Sequence, residues 1–182
     1  MKRRTFIFAT TASIASSASS LDTKSKSELK ANNGMNQTNL QTEAWPTEIE
    51  KWKLSKDEWR ARLSPMAFDV LRREGTERPF TSELNSEKRD GIFTCAGCGL
   101  ALFDSDMKYD SGTGWPSFFD TIEGHVETKR DFKLIIPRTE YHCARCGGHQ
   151  GHVFNDGPNP TGLRYCNNGV ALRFVPKAET IS

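Results

Sequence analysis

Two CxxC motifs constrain the fold of this 182-residue chain more than any other feature of its sequence. The first pair is Cys95 and Cys98, the second is Cys143 and Cys146, and a glycine directly follows each pair. A CxxC turn directs two sulfurs at one point, so two such turns can build a tetrahedral four-sulfur metal site. The motifs therefore predict that two segments far apart in the chain fold around one metal ion.

The occupant of this site is not settled by the residues alone. An iron centre uses the same four thiolates, and two disulfides are the alternative if the chain is exported to an oxidising compartment. Paired CxxC turns are more typical of a zinc site than of a disulfide framework. We therefore predict one zinc ion, bound by sulfur on all sides, which stabilises the fold and does no chemistry.

The fifth cysteine, Cys166, lies outside both motifs among polar residues. A single cysteine is commonly an inert, small hydrophobic residue. Here, however, Arg164 would project from the same side of a strand, where its positive charge favours the reactive thiolate. His149 and His152 could supply a proton donor at neutral pH, since the four other cysteines complete a metal site without them. These neighbours favour a nucleophilic role for Cys166.

A glycine-rich loop upstream, DSGTGWPSFFD, carries Trp115 between Gly114 and Pro116. A tryptophan is commonly a core residue. In a turn, an exposed indole is more useful as a wall for a ligand. The loop is therefore a candidate to complete the site around Cys166.

The ordered body is predicted from about residue 45. Ser55 and Glu58 form a capping-box pattern at the start of one short helix, and Ser64 before Pro65 starts a second, which ends near Gly75. From residue 91 onward, short β-type runs alternate with turn residues, which predicts an antiparallel sheet protein covered by the two helices. These runs are GIFTC, ALFDS, KLIIP, HVF, LRYC and VALRFV.

The N-terminal segments predict targeting rather than structure. Residues 1–20 have a basic start, a modest apolar centre and a small-residue end, as in an export signal. Arg3 and Arg4 favour the twin-arginine route to the periplasm, and general secretory export or an organelle transit peptide is the alternative. Residues 21–44 are too polar to offset the entropy of ordering, so we expect a flexible linker before a domain over 45–178.

Charge and hydropathy argue against two classes of partner. The formal net charge is +2, but without residues 1–20 the chain has 22 basic and 23 acidic residues. A nearly neutral body lacks the basic face that nucleic-acid binding needs. No apolar run is long enough to span a bilayer. We expect a monomer with neither a nucleic-acid partner nor stable membrane insertion.

With these residues in view, the chain resembles the B-type peptide-methionine sulfoxide reductases over about residues 54–175. The shared segments are LSPMAFDVLRREGTERPF, CAGCGLALF, DSGTGWPSFFD, CARCGGHQGHVFNDGP and TGLRYCNNGVALRF. The resemblance implies a mainly β fold, an antiparallel β-sandwich or roll of the Mss4-like type, with two short N-terminal helices and a four-cysteine zinc site. It also implies thiol-dependent reduction of methionine-R-sulfoxide, free or in proteins, which repairs oxidative damage.

The resemblance further implies that Cys166 attacks the sulfoxide sulfur and becomes a sulfenic acid as methionine leaves. An acid must protonate the oxygen, and an apolar wall must hold the methyl group. The implied acid is His152, with His149 beside it. The other implied site residues are Trp115 and Phe154 for the methyl pocket, Asn168 and Arg164 to orient or polarise the centre, and Asp156 to position the histidines at the substrate site.

Three positions depart from the pattern of this family. Many members carry a resolving cysteine, in one subgroup at the position of Thr113, whereas here zinc and catalysis use all five cysteines. We therefore expect an external thiol or a thioredoxin-like partner to reduce the sulfenic acid directly. Gln150 stands where leucine is usual, and Asn167 stands where isoleucine is usual. The second change is expected to alter strand packing beside the nucleophile.

A zinc-ribbon binding module without catalysis is the alternative from another functional class. It would explain both CxxC motifs but neither Cys166 nor the GWPSF loop, and the chain lacks the basic surface of such modules. A secreted domain held by disulfides is a third interpretation.

Overall fold

The computed structural model describes residues 49–132 and 137–177. The predicted export signal and linker lie outside these ranges, and so does most of the KLIIP segment. Among the described residues, no helix combines the length and the apolar character needed to cross a membrane. The domain boundaries given above remain predictions.

Two short helices precede the sheets, as the capping patterns predict. Helix α1 (Lys56–Arg62) begins after Ser55, which exchanges hydrogen bonds with Glu58 in a complete capping box. Helix α2 (Pro65–Arg73) begins after Ser64, whose hydroxyl accepts a hydrogen bond from a backbone amide in the first turn. The apolar faces of both helices are buried in the main core. Both helices therefore cover the sheets, as expected.

In the described residues, nine short strands form two sheets, and every strand pair is antiparallel. The smaller sheet has the order β2-β1-β9, and the larger has the order β3-β4-β8-β7-β6-β5. The mainly β fold with two N-terminal helices is thereby confirmed. The strands are β1 (Gly91–Cys95), β2 (Ala101–Asp104), β3 (Lys108–Tyr109), β4 (Ser117–Phe118), β5 (Val126–Asp131), β6 (Arg138–Cys143), β7 (His149–Phe154), β8 (Arg164–Asn167) and β9 (Leu172–Pro176).

Aromatic contacts join the two sheets in one main core. Phe103 of β2 stacks on Phe118 of β4, with 3.9 Å between the ring centroids. Phe93 of β1 meets Phe118 edge-on at 5.0 Å, and Tyr141 of β6 packs edge-on against Phe103 at 6.3 Å. Each such pair adds about 0.5–1.5 kcal/mol beyond the burial of its surface. These contacts fix the larger sheet, which carries the site, against the smaller one.

Strands β5 and β6, like the two-residue strands β3 and β4, match none of the β-type runs predicted from the sequence. Four of the six residues of β5 are exposed, and the strand lies at the edge of the larger sheet. A charged edge strand discourages pairing with other chains, but it lacks the apolar alternation by which strands are recognised in a sequence. Strands β5 and β6 matter, because they supply acidic residues to the site.

Candidate active site and metal centre

The two CxxC motifs meet at one point, as predicted. Cys95 Sγ lies 3.7 Å from Cys146 Sγ, and Cys98 Sγ lies 3.5 Å from Cys143 Sγ. All four ligand atoms lie within 4.8 Å of one another. A tetrahedral ion with metal–sulfur bonds of about 2.3 Å would separate its sulfurs by about 3.8 Å. The cluster therefore fits a four-coordinate metal, and none of the five cysteines forms a disulfide in the structure.

The electrostatics of the four thiols favour a bound cation. The hydrogen bond with Cys143 lowers the pKa of Cys146, whereas hydrogen bonds with neighbouring thiols raise the pKa of Cys95 and of Cys143. The four thiols by themselves thus stabilise one thiolate and disfavour a second negative charge in the cluster. A metal ion removes this limit, because it binds each sulfur as a thiolate. Four soft ligands without a carboxylate suit zinc or iron rather than magnesium or calcium.

Two donors point at this cluster from outside it, one from the half-buried Arg72 and one from the buried Gln150. Arg72 of α2 donates to the carbonyl oxygen of Cys146 at 2.8 Å and to its Sγ at 3.2 Å. The same guanidinium lies 4.1 Å from the ring centroid of Trp59. Gln150 Nε2 donates to Cys95 Sγ at 3.4 Å. Such contacts orient metal ligands and offset the negative charge of metal-bound sulfur.

Cys166 lies on β8, inside the larger sheet. It pairs with Ser117 of β4 on one side and with His152 of β7 on the other. Opposed residues in antiparallel strands project from the same face, so the thiol and the imidazole are neighbours. Phe154 and Arg164 form the pair two positions along and share that face. The register thus brings together four of the predicted site residues.

Opposing effects set the acidity of Cys166. Burial raises its pKa, while the charge of Arg164 and hydrogen bonds with Thr113 and Arg164 lower it. Burial prevails, and the pKa lies above the ordinary value of 9.0. The thiol is therefore mostly protonated at neutral pH. Arg164 does favour the thiolate, as predicted, but its charge does not outweigh the desolvation.

Carboxylates that the sequence analysis did not identify hold both histidines. His149 Nδ1 lies 2.7 Å from Glu140 Oε1, and His152 Nε2 lies 2.7 Å from Asp131 Oδ2. An ionised carboxylate only accepts hydrogen bonds, so each histidine donates an N–H to its partner. This contact fixes the orientation of the ring and stabilises a positive charge on it. Asp131 also accepts from Arg138 at 2.8 Å.

We expected Asp156 to position the histidines, and this expectation stays a prediction, since the contacts described for Asp156 are with Arg164. Asp156 forms two hydrogen bonds with Arg164, from Nε to Oδ1 at 2.8 Å and from Nη2 to Oδ2 at 2.9 Å. The guanidinium also lies 4.3 Å from the ring centroid of Phe154. Asp156 follows the end of β7 and so reaches the first residue of β8, whereas β5 and β6 supply the partners of the histidines. Its role is to hold Arg164 beside Cys166.

A β-bulge explains how two histidines three residues apart come together. In a regular strand, such residues project from opposite faces. Here His149 pairs with His142, and Gly151 pairs with Tyr141, so Gln150 is an extra residue without an opposed partner. The two histidine rings consequently lie 5.5 Å apart, centroid to centroid. The spacing alone could not reveal this bulge.

Asn168 braces the backbone after Cys166. Its Nδ2 donates to the carbonyl oxygen of Gln150 at 2.9 Å, and its Oδ1 accepts from the amide of Glu77 at 3.0 Å. The carboxylate of Glu77 in turn accepts from the amides of Gly169 and Val170. Asn168 is only 4% exposed. Its side chain therefore orients the site through the backbone groups that it holds.

Trp115 is half-buried, and its indole forms a hydrogen bond with the backbone near the second helix. Its Nε1 donates to the carbonyl oxygen of Glu77 at 3.2 Å. A cavity of about 620 Å³ lies beside the ring and is also lined by Tyr109 and Phe80. A larger cavity, of about 790 Å³, surrounds His142 on another part of the sheet. The cavity beside Trp115 is lined by one predicted site residue and the larger cavity by none, and Cys166 lines neither of the two.

A family model described as the SelR domain matches residues 63–176 of this chain. A peptide methionine sulfoxide reductase MsrB from Bradyrhizobium diazoefficiens is 54% identical over 124 residues, which cover 68% of this chain and 89% of that protein. An MsrB from Methanosarcina barkeri is 52% identical over 126 residues, which cover 69% and 89% of the two chains. An MsrB from Pseudomonas putida is 52% identical over 130 residues, which cover 71% and 99%.

Among solved structures, the crystal structure of a Mis18 'Yippee-like' domain aligns with a TM-score of 0.40 and 21% sequence identity. The alignment covers 50% of this chain and 100% of that chain. The identification of the family rests on the sequence comparisons, which span most of the described domain. This chain belongs to the SelR domain family, the family of the MsrB peptide methionine sulfoxide reductases.

Proposed function

We propose that this protein reduces methionine-R-sulfoxide, free or in peptides and proteins, to methionine. The observation that carries the proposal is the position of Cys166 directly opposite His152 in the register of β7 and β8, with the imidazole held by a buried carboxylate. This arrangement supplies a nucleophile and a proton donor on one face of the sheet. Membership of the SelR family supports the same chemistry. The zinc-ribbon alternative gives no role to either residue.

In the proposed reaction, the sulfur of Cys166 attacks the sulfoxide sulfur. Arg164 stabilises the thiolate that attacks, and His152 gives a proton to the sulfoxide oxygen, with His149 as the neighbouring group for proton exchange. Oxygen passes to the cysteine, and methionine leaves as the thioether. The thiol loses two electrons to become a sulfenic acid, and the sulfoxide gains two.

The raised pKa of free Cys166 is compatible with this sequence of steps. A protonated, partly buried thiol resists unwanted oxidation while no substrate is bound. Thr113 and Arg164 both lower the pKa against the effect of burial, so they are positioned to support the thiolate when it forms. We assign Trp115 and Phe154 to the walls that receive the methyl group. Phe154 shares the face of Cys166 in the sheet, and the residue after Trp115 accepts a hydrogen bond from the residue after Cys166.

We propose zinc as the ion held by Cys95, Cys98, Cys143 and Cys146. A bound zinc ion would stabilise the fold, and the four sulfurs leave no open position for a substrate. The sulfur separations and the soft ligand set support this assignment.

The proposed activity is tested by incubating the protein with dabsyl-methionine-R-sulfoxide or its S epimer and dithiothreitol. We expect methionine to form from the R epimer and not from the S epimer, because a chiral sulfur presents its methyl group and its oxygen to different walls of the site. Chromatography of the dabsyl products measures both reactions. A folded, metal-loaded protein that leaves the R epimer unchanged would contradict the proposal.

We propose that an external thiol or a thioredoxin-like protein recycles the enzyme, because metal and nucleophile use all five cysteines. One equivalent of substrate without reductant should leave a sulfenic acid at Cys166, which dimedone labels for mass spectrometry. Thr113→Cys should instead give a disulfide between the introduced sulfur and Cys166, since Thr113 already hydrogen bonds to this thiol. An internal disulfide of Cys166 in the unmodified protein would refute external recycling.

We also propose export to the periplasm by residues 1–20, with general secretory export or an organelle as the alternative. The basic pair Arg3 and Arg4 before an apolar stretch supports the twin-arginine route. Export of a reporter fusion should stop when both arginines become lysine, and unchanged export would exclude that route.

A further inference from the structure

A buried chain of polar side chains runs from the metal site to the residue that follows the nucleophile. Gln150 Nε2 donates to Cys95 Sγ at 3.4 Å, and Gln150 Oε1 accepts from Asn167 Nδ2 at 3.5 Å. The hydroxyl of Tyr141 donates to Asn167 Oδ1 at 2.6 Å. These four side chains have no measurable solvent exposure. The polar groups therefore depend on one another rather than on water.

The hydrogen bonds of this chain share one direction. Tyr141 donates to Asn167, Asn167 donates to Gln150, and Gln150 donates to the sulfur of Cys95. Hydrogen bonds linked in this way polarise and strengthen one another. The last acceptor, Cys95 Sγ, is one of the four sulfurs that would hold the metal. The chain of contacts therefore ends on a metal ligand.

The same two amide residues also hold the segment around Cys166. Asn167 directly follows the nucleophile, and its backbone amide donates to the carbonyl oxygen of Pro116 at 2.9 Å, which ties β8 to the Trp115 loop. The carbonyl oxygen of Gln150 accepts from both the backbone amide and Nδ2 of Asn168, each at 2.9 Å. Gln150 is the extra residue of the β7 bulge. One residue thus contacts a metal ligand through its side chain and the catalytic strand through its backbone.

We propose that Gln150 and Asn167 are a matched pair of positioning residues that couple the four-cysteine metal site to the nucleophile. The inference rests on the proposed function in that Cys166 is the reacting group. It also accounts for two departures from the family pattern, which has leucine and isoleucine at these positions. Asn167 Nδ2 also donates to the carbonyl oxygen of Asn168 at 2.8 Å, so Asn167 alone would keep two of its partners. Gln150 alone would lose the donor to its buried Oε1, which makes Gln150 the residue that depends on the pair.

The experiment uses zinc-loaded Gln150→Leu, Asn167→Ile and the double variant. The first readout is the rate of zinc transfer to a chromogenic chelator, and the second is the rate of Cys166 alkylation by iodoacetamide. The decisive results are the effects at a distance, that is, the effect of Asn167→Ile on zinc release and the effect of Gln150→Leu on Cys166 alkylation. Asn167→Ile, which changes no contact with a cysteine sulfur, should speed zinc release roughly fivefold. Gln150→Leu should raise the Cys166 alkylation rate about threefold, because the strand behind the thiol loses its brace.

The double variant tests whether the two residues act together. It replaces both amides with apolar side chains, so that neither amide stays in the core without the other. The Tyr141 hydroxyl, the carbonyl oxygen of Asn168 and Cys95 Sγ each lose one hydrogen bond. The loss of stability of the double variant in urea should therefore be smaller than the sum of the two single losses. Zinc release should stay fast in the double variant, because the hydrogen bond to Cys95 is still missing. Additive losses of stability would contradict a matched pair.

Val153→Ala is the matched control. Val153 lies on β7 and packs against the main core, but it takes no part in the polar chain. Val153→Ala should lower the stability of the domain in urea, but it should change neither the rate of zinc release nor the rate of Cys166 alkylation. The proposal fails if either distant effect is absent, or if Val153→Ala reproduces both at an equal loss of stability. If an amide variant does not fold, Tyr141→Phe removes one hydroxyl and should produce smaller changes in the same direction.

Neither readout requires sulfoxide reduction, so the two proposals fail separately. Unaltered zinc release and alkylation in an active enzyme would overturn the coupling alone. Clear distant effects in a protein that does not reduce methionine sulfoxide would overturn the function alone.

Discussion

Replacing Cys166 with serine is expected to abolish sulfoxide reduction while the fold and the metal remain. A serine hydroxyl is a much weaker nucleophile than a thiol, and it cannot form a sulfenic acid. The loss should be at least about a thousandfold, since removing a nucleophile removes the whole covalent route. Formation of dabsyl-methionine from the R-sulfoxide measures the effect. Retained turnover would end the assignment of Cys166.

Two measurements separate this chemical effect from a structural one. Cys166 is only partly buried and is not among the four sulfurs of the metal cluster. The variant should therefore keep the metal content and the Tm of the parent protein. Asp131→Asn provides a graded comparison, because it removes the charge that orients His152 and leaves the thiol intact. We expect an activity loss on the order of 100-fold for that variant, as for an impaired general acid.

The metal ligands could be predicted from the sequence because each CxxC motif contains two of the ligating cysteines within four consecutive residues. The same holds for the capping box at Ser55, where one turn of helix contains both partners. The partners of the histidines could not be predicted in this way. Asp131 and Glu140 reach the site only through the pairing of β5, β6 and β7. That register depends on a bulge at Gln150, which has no local signature.

The acidity of Cys166 shows a second limit. Arg164 is visible two residues away in the sequence, and its effect on the thiolate has the predicted sign. The opposing effect comes from burial, which depends on residues from several strands and from the Trp115 loop. A charge can be counted in a sequence, whereas desolvation requires the packed structure. For the same reason, the sequence could mark Gln150 and Asn167 as unusual but could not show that they contact each other.

Loss of the metal is expected to unfold the domain rather than to slow the reaction. Structural zinc contributes about 10–16 kcal/mol in small zinc domains, which is comparable to the whole stability of a typical domain, about 5–15 kcal/mol. Cys95 and Cys143 are fully buried in the main core. Without a cation, their thiols would have to share this space as neutral groups with weak hydrogen bonds. The contacts between the helices and the sheets depend on the same core.

Cys143→Ser, or treatment of the parent protein with a strong chelator, should therefore eliminate the cooperative thermal transition. Circular dichroism and tryptophan fluorescence report the transition, and Cys166→Ser is the matched control, since it also removes one sulfur but spares the cluster. Adding zinc should restore the chelated protein and not Cys143→Ser, because three sulfurs leave the ion without its fourth ligand. A chelated protein that keeps its Tm would show that the fold does not depend on a metal. Loss of that Tm with dithiothreitol alone would then point to disulfides between the motifs.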